Sequence, residues 1–212
     1  MVAKFSTMLN ELMQSFDANS YVTRANPTMT HPAALPLDEF TKQCRFKFTR
    51  RSGPGGQHRN KVETAVVIKH VPSGVTAEAN SERSQATNRR IAIFRLRIKL
   101  ALELRTPVQL LESLVAETNS LDNDNTCVSV SSELWKSRCK QHRLSINENH
   151  DDFPGLLAEA LDWLMFDHGD LRQSAARLLV TPAQLLKLVK KEPAALQLVN
   201  RIRQQNKLFP LK

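Results

Sequence analysis

Two hydrophobic periods divide the 212-residue chain. From residue 44 to 79 the apolar positions alternate or gather in β-branched runs, and from residue 85 onward most recur every three or four residues. Cys44-Arg45-Phe46-Lys47-Phe48-Thr49-Arg50 alternates apolar with basic side chains, which predicts a half-buried strand. Residues 64–71 are rich in Val, Ile and Thr and predict a second strand. Pro72-Ser73-Gly74 is turn chemistry, and residues 75–79 return as the hairpin partner. Residues 85–105 predict one long helix with Ser84 as its N-cap. Ile91, Phe94, Ile98 and Ala101 or Leu102 are spaced to pack on the sheet, which leaves Arg89, Arg90, Arg97 and Lys99 facing outward. Thr106-Pro107 ends the helix, because the residue before a proline avoids the α region.

The flanks carry only the helical period. Phe5, Met8, Leu9, Leu12, Met13 and Phe16 mark a short amphipathic helix, read as a packing arm, and residues 18–36 a Pro- and Asn-containing linker. Residues 37–43 fit a single helical turn, with Asp38 and Glu39 at its start. Residues 108–115 could be helical, 119–126 form a polar loop, and 128–143 predict a helix led in by Ser131 or Ser132. From residue 153 the texture is wholly helical: an apolar helix at 156–166, one capped by Asp170, one opened by Thr181-Pro182 and one opened by Pro193. Residues 174–186 look like a helix-turn-helix, with a plain helical bundle as the open alternative. The chain thus divides into 1–36 (helix and linker), 37–106 (first domain), 107–152 (connecting segment) and 153–212 (helical C-terminal domain). Its class is α+β: a small sheet with a long covering helix and a basic loop, followed by an all-α region.

Charge sharpens this picture. The formal net charge is +9, and residues 41–105 hold fifteen Lys/Arg against four Asp/Glu, while 106–152 hold four against eight. A segment so biased points to an anionic partner such as nucleic acid. Cys44, Cys127 and Cys139 form no CxxC pair, and Cys139 with His142 supplies two of the four ligands a zinc site needs, so no metal and no cofactor is expected. An odd, unpatterned cysteine count fits a reducing compartment. No stretch approaches the ~20 apolar residues of a membrane helix. Glu11 and Asp17 sit where a mitochondrial transit peptide is poor in acids, which favours the cytoplasm.

At the centre of the basic segment lies Ser52-Gly53-Pro54-Gly55-Gly56-Gln57-His58-Arg59-Asn60-Lys61. Gly55 and Gly56 let main chain come close to another molecule, and Gln57 adds a neutral amide beside a backbone N–H. Arg50, Arg51, Arg59 and Lys61 surround it with positive charge. The spacing matches neither the G-x-x-x-x-G-K-[ST] nor the G-x-G-x-x-G phosphate loop. Three stretches in order resemble the catalytic domain of bacterial class I peptide-chain release factors: Arg51-Ser52-Gly53-Pro54-Gly55-Gly56-Gln57, Asn60-Lys61-Val62-Glu63-Thr64-Ala65-Val66, and Ser81-Glu82-Arg83-Ser84-Gln85. The resemblance covers about residues 37–105 and makes 37–106 a GGQ catalytic domain.

The resemblance implies hydrolysis of the ester between a nascent peptide and the tRNA 3′ end, with the ribosome and peptidyl-tRNA as partners. Gly55, Gly56 and Gln57 are then catalytic. The Gln57 N–H is the candidate oxyanion donor, and its side chain places the water. An amide does not titrate usefully, so the proton must move through the substrate or the ribosome. The resemblance also raises a methyltransferase that modifies the Gln57 amide. Arg50, Arg51, His58, Arg59, Lys61, Arg89, Arg90 and Arg97 become RNA contacts, with the cations pairing with phosphate rather than reading sequence. Ser52, Gly53, Pro54, Asn60, Glu63, Thr64, Glu82, Arg83 and Gln85 brace the loop. Stop-codon-reading relatives carry a large codon-recognition domain before this one, whereas residues 1–36 read as helix and linker, so codon-independent rescue of stalled ribosomes is the expectation. Short rescue relatives end in a disordered basic tail, which is replaced here by a helical extension. Action on separated large subunits, an inactive ribosome-binding module, and a DNA-binding regulator with an appended domain are the alternatives. A monomer is expected.

Overall fold

In the computed structural model of the chain, residues 30–50, 63–107, 111–113 and 131–212 are described. Strands β1 (Cys44–Thr49), β2 (Ala65–His70) and β3 (Thr76–Ala79) form an antiparallel sheet in the order β1-β2-β3. The register pairs Phe46 with Ile68 and Ile68 with Ala77. Period-two alternation therefore sends Val66, Ile68, His70, Ala77 and Ala79 to one buried face. The opposite face carries exposed Arg45, Lys47 and Lys69, with Arg45 directly across from Lys69. Like charges opposed across a pair destabilise a sheet in isolation.

Helix α1 (Leu37–Lys42) leads into β1, and helix α2 (Gln85–Glu103) covers the buried face. Ser84 caps α2 by accepting from Thr87 N at 3.3 Å. Arg95 Nη1 donates to the Glu78 carbonyl at 2.9 Å and Lys99 Nζ to the Thr76 carbonyl at 2.8 Å. These two bonds occupy carbonyls of the edge strand β3 that would otherwise invite another chain. The stripe that α2 buries differs from the expected one. Asn88, Ala92, Ile93, Leu96, Arg97, Leu100 and Ala101 are buried, whereas Ile91, Phe94, Ile98 and Leu102 are only partly so. The reason is a second layer: α2 packs against β2 and β3 and also against helix α4 (Phe153–Phe166). A helix covered by two layers buries a wider arc than one lying on a sheet alone.

Helix α4 meets α2 with an almost wholly apolar surface, and at Gly155 it comes close to the 3-10 turn and to Leu134. A Cβ there would stand 2.9 Å from Ala34 Cα and 2.8 Å from Leu134 Cδ2. Ala34 belongs to a 3-10 turn, Pro32–Ala34, in the stretch expected to be unfolded linker. Its end is instead folded, with Ala33 fully buried. Proline brings no N–H to satisfy, and the Ala33 carbonyl accepts from Arg97, so this segment can be buried cheaply.

The expected helix over 128–143 is shorter. Helix α3 (Glu133–Arg138), capped by Ser132, gives way to a hairpin of β4 (Cys139–Lys140) and β5 (Arg143–Leu144). Gln141 and His142 at its tip have φ of 49° and 60°, the left-handed pair of a tight hairpin turn. Helices α5 (Leu171–Arg177), α6 (Pro182–Lys190) and α7 (Pro193–Gln205) follow, capped by Asp170, Thr181 and Glu192. One apolar core runs from Ala33 through the sheet and α2 to Val199. Among the described residues no helix is long and apolar enough to cross a membrane.

Two histidines, His70 buried and His31 half-buried, give this core a pH response. The His70 ring stacks on Phe40 with centroids 5.9 Å apart, and its Nε2–H donates to Gln43 Oε1 at 3.1 Å. Its Nδ1 accepts from Ser73 Oγ at 2.7 Å and Ser73 N at 3.3 Å, so the neutral ring is fully paired. Burial, with His31 nearby, pushes the His70 pKa down to about 4. Burial also lowers that of His31, whose Nδ1 accepts from Ala33 N at 3.1 Å. A folded pKa below the unfolded ~6.5 means that the folded state binds fewer protons. The stability these rings contribute is whole above about pH 6.5 and falls as the pH drops through about 4. Thermal melts between pH 7 and 4 should show a smaller acid-induced loss in His70→Gln than in wild type. Equal losses would sink this assignment.

Candidate active site: the stem of the glycine-rich loop

The loop springs from neighbouring strand ends. Thr49 and Ala65 are the last pair of the β1–β2 ladder, so residues 50–64 leave and rejoin the sheet at adjacent positions. Arg51, Ser52, Gly53, Pro54, Gly55, Gly56, Gln57, His58, Arg59, Asn60 and Lys61 lie outside the described residues. Their expected roles rest on the sequence.

The stem itself is described in atomic detail. Gln85 Nε2, in the first turn of α2, donates to the Glu63 carbonyl at 2.7 Å. Asn88, one turn on and fully buried, donates from Nδ2 to the Thr64 carbonyl and to the Glu82 carbonyl, each at 2.8 Å. Its Oδ1 accepts from Glu82 N at 3.0 Å. One side-chain amide thus joins the returning strand, the segment before α2 and α2 itself. Buried backbone groups need such partners, since leaving one unpaired costs ~1–3 kcal/mol. Arg50 Nε and Glu63 Oε1 close the outer side at 3.6 Å, an exposed pair of small energetic weight.

The expected bracing residues are therefore brought together in part. Glu63, Thr64, Glu82 and Gln85 meet at the stem, through the backbone of the first three and the side chain of the last. Arg83 is exposed. Asn88 escapes a reading of the sequence alone. Its one signal is a poor helix former placed four residues past an N-cap, where only a special hydrogen bond rewards an amide.

The cations separate into two kinds. Arg50, Arg83, Arg89 and Arg90 are exposed. The Arg89 guanidinium lies 4.7 Å from the Phe46 ring centre, a contact that orients it beside the sheet. Arg97 corrects an expectation. Instead of facing outward it is buried, with Nε and Nη2 donating to the Ala33 carbonyl at 3.0 and 2.7 Å. Nη2 also reaches the Leu35 carbonyl at 3.3 Å. The α4 layer covers this side of α2, and burial lowers the guanidinium pKa against the pull of Asp151 and Asp152. Arg97 ties the 3-10 turn to α2. Arg97→Leu should cost ~1–3 kcal/mol by stranding the Ala33 carbonyl. It should leave the salt dependence of RNA binding as in wild type, and a reduced salt slope would contradict this placement.

Chemically, the stem ties the returning end, at residues 63 and 64, to α2. The Glu63 carboxylate there is turned toward Arg50.

The RF-1 domain family matches residues 38–145, just over half of the chain, and the chain belongs to that family, the catalytic-domain family of class I peptide-chain release factors. The match runs past α2 to the β4–β5 hairpin, beyond the span that the three motifs marked. Peptide chain release factor 1 of Xylella fastidiosa (strain 9a5c) is 33% identical over 135 residues, which is 64% of this chain and 35% of that protein. Peptide chain release factor PrfB1, chloroplastic, of Arabidopsis thaliana is 55% identical over 55 residues, 26% of this chain and 12% of that one. The chain thus spans about a third or less of the length of these curated relatives.

Proposed function

We propose that the chain hydrolyses the peptidyl-tRNA ester on the ribosome and releases nascent peptides from stalled complexes without reading a codon. The observation that carries this reading is the stem. Gly55-Gly56-Gln57 lies in the segment between two adjacent strand ends, of which the returning one, at Glu63 and Thr64, is tied to α2 by Gln85 and Asn88. The names of the relatives, both peptide chain release factors, support the reaction class.

In this mechanism Gly55 and Gly56 let main chain approach the terminal ribose, and the Gln57 N–H stabilises the oxyanion that forms as water attacks the ester. The Gln57 side chain holds that water, and the proton leaves through the substrate or the ribosome. Arg50, Arg51, Arg59, Lys61, Arg89 and Arg90 neutralise RNA phosphate, with His58 as a neighbouring contact. The protein acts as a cytoplasmic monomer without a cofactor, and the Gln57 amide is the site a glutamine methyltransferase would modify. Helices α4 and α7 pack on α2, and the C-terminal helices share its core.

Release should be timed on three ribosome complexes, with a sense codon, a stop codon or no codon in the decoding site. Equal rates are expected. Release confined to the stop-codon complex would overturn the rescue reading and leave the ester hydrolysis standing.

A further inference from the structure

A second basic surface lies on elements separate from the loop stem. The β4–β5 hairpin docks beside the turn between α5 and α6 and against α6. His142 Nδ1 donates to the Leu179 carbonyl at 2.9 Å, and Leu144 N donates to Gln184 Oε1 at 2.7 Å. Lys191 Nζ donates to the Ile146 carbonyl. From α3, Trp135 Nε1 donates to the Leu178 carbonyl at 2.9 Å, which fixes the same turn from beneath. The hairpin therefore stands beside the two-helix unit like a wing. Between them runs a groove lined by Leu144, Ser145, Ile146, Gln184, Lys187 and Leu188, with Lys191 at one side.

The charge on this surface has one sign. Lys140 and Arg143 are exposed on the hairpin, and Lys187 and Lys190 are exposed on α6, where they and Lys191 share a face at i, i+3 and i+4 spacing. No Asp or Glu occurs in 139–147 or 171–191. The adjoining acids have other positions: Asp167 pairs with Arg177 at 3.0 Å, Asp170 and Glu192 cap α5 and α7, and Glu148 follows the groove in sequence. No aromatic lines the groove, so bases have nothing to stack on. A cluster of exposed cations around a mixed polar and aliphatic floor suits a ribose-phosphate backbone.

We propose that the hairpin–α6 face binds the phosphate backbone of a folded RNA, giving the protein a second RNA contact besides its loop. The choice of RNA rests on the ribosome-directed reading above. This surface supplies affinity without sequence preference.

The test uses the full chain and the double variant Arg143→Glu/Lys187→Glu, which spares the structural Lys191 bond. Binding to a short RNA duplex of arbitrary sequence and to ribosomes is measured across a salt series, beside peptide release at saturating protein. The proposal expects weaker binding to both, with the salt slope for the duplex smaller by about 2, and unchanged release at saturation. Unchanged affinity and slope would overturn it. Lost ribosome binding with no duplex binding even by wild type would also overturn it, in favour of an acidic protein partner. If wild type releases no peptide yet the variant loses duplex binding, the enzyme reading fails and this surface stands. Should the double variant melt early, Arg143→Gln/Lys187→Gln repeats the comparison without charge reversal: weaker duplex binding again supports the surface, and unchanged binding overturns it.

Discussion

Gln57→Pro, which deletes one backbone N–H, is expected to slow peptide release by ~10²–10³, the cost of losing one preorganised oxyanion donor. Gln57→Ala keeps that N–H and loses only the amide that places the water, so its loss should be smaller. The order of the two variants separates the proposed roles of main chain and side chain. Both should bind ribosomes as wild type does, because the proposed phosphate contacts come from the surrounding cations. Should Gln57→Pro release peptide at the wild-type rate, the main-chain role would be excluded. If Gln57→Ala were the slower variant, the side chain would be the principal catalytic group.

The second large effect lies in the stem. Asn88→Ala removes the partners of the Thr64 carbonyl, the Glu82 carbonyl and the Glu82 N–H together. Stranding such groups should cost ~3 kcal/mol in total, since water reaches part of this site once the amide is gone. For a chain of this size that corresponds to a melting point lower by roughly 6–12 °C. Asn88→Asp keeps the acceptor for Glu82 N–H but loses both donors, so it should recover little. Release should fall alongside, because the returning end of the loop is then held to α2 only through the bond from Gln85 to the Glu63 carbonyl. A melting curve that matches wild type would show that the amide clamp contributes nothing to the fold. Unchanged release in a destabilised Asn88→Ala would show that loop position does not depend on the stem.

Much of the fold is legible in the sequence because it follows local rules. Alternation in 44–50, the Pro72-Ser73-Gly74 turn and the Ser84 cap each place an element within a residue or two of its observed bounds. Asp170, Thr181 and Pro193 do the same for the C-terminal helices. What stays hidden is tertiary. No local pattern says that α4 lies on α2, so periodicity alone sets the buried arc of α2 one position off and puts Arg97 in solvent. The fold of 32–34 depends on that same packing, because the Ala33 carbonyl finds its donor on Arg97. The β4–β5 hairpin reads as helix because its residues lack Gly or Asn at the two left-handed positions. At the site, the role proposed for Gly55-Gly56-Gln57 rests on residue types alone, because these residues lie outside the described ones, whereas the Asn88 clamp emerges only in three dimensions.

The most direct test of the central claim is a time course of peptide release from purified stalled ribosome complexes by the wild-type chain. The account predicts that free peptide and deacylated tRNA appear in equal amounts, faster than spontaneous hydrolysis, and only when ribosomes are present. Binding to the ribosome with no release, even after methylation of Gln57, would contradict it and leave a binding module in place of an enzyme.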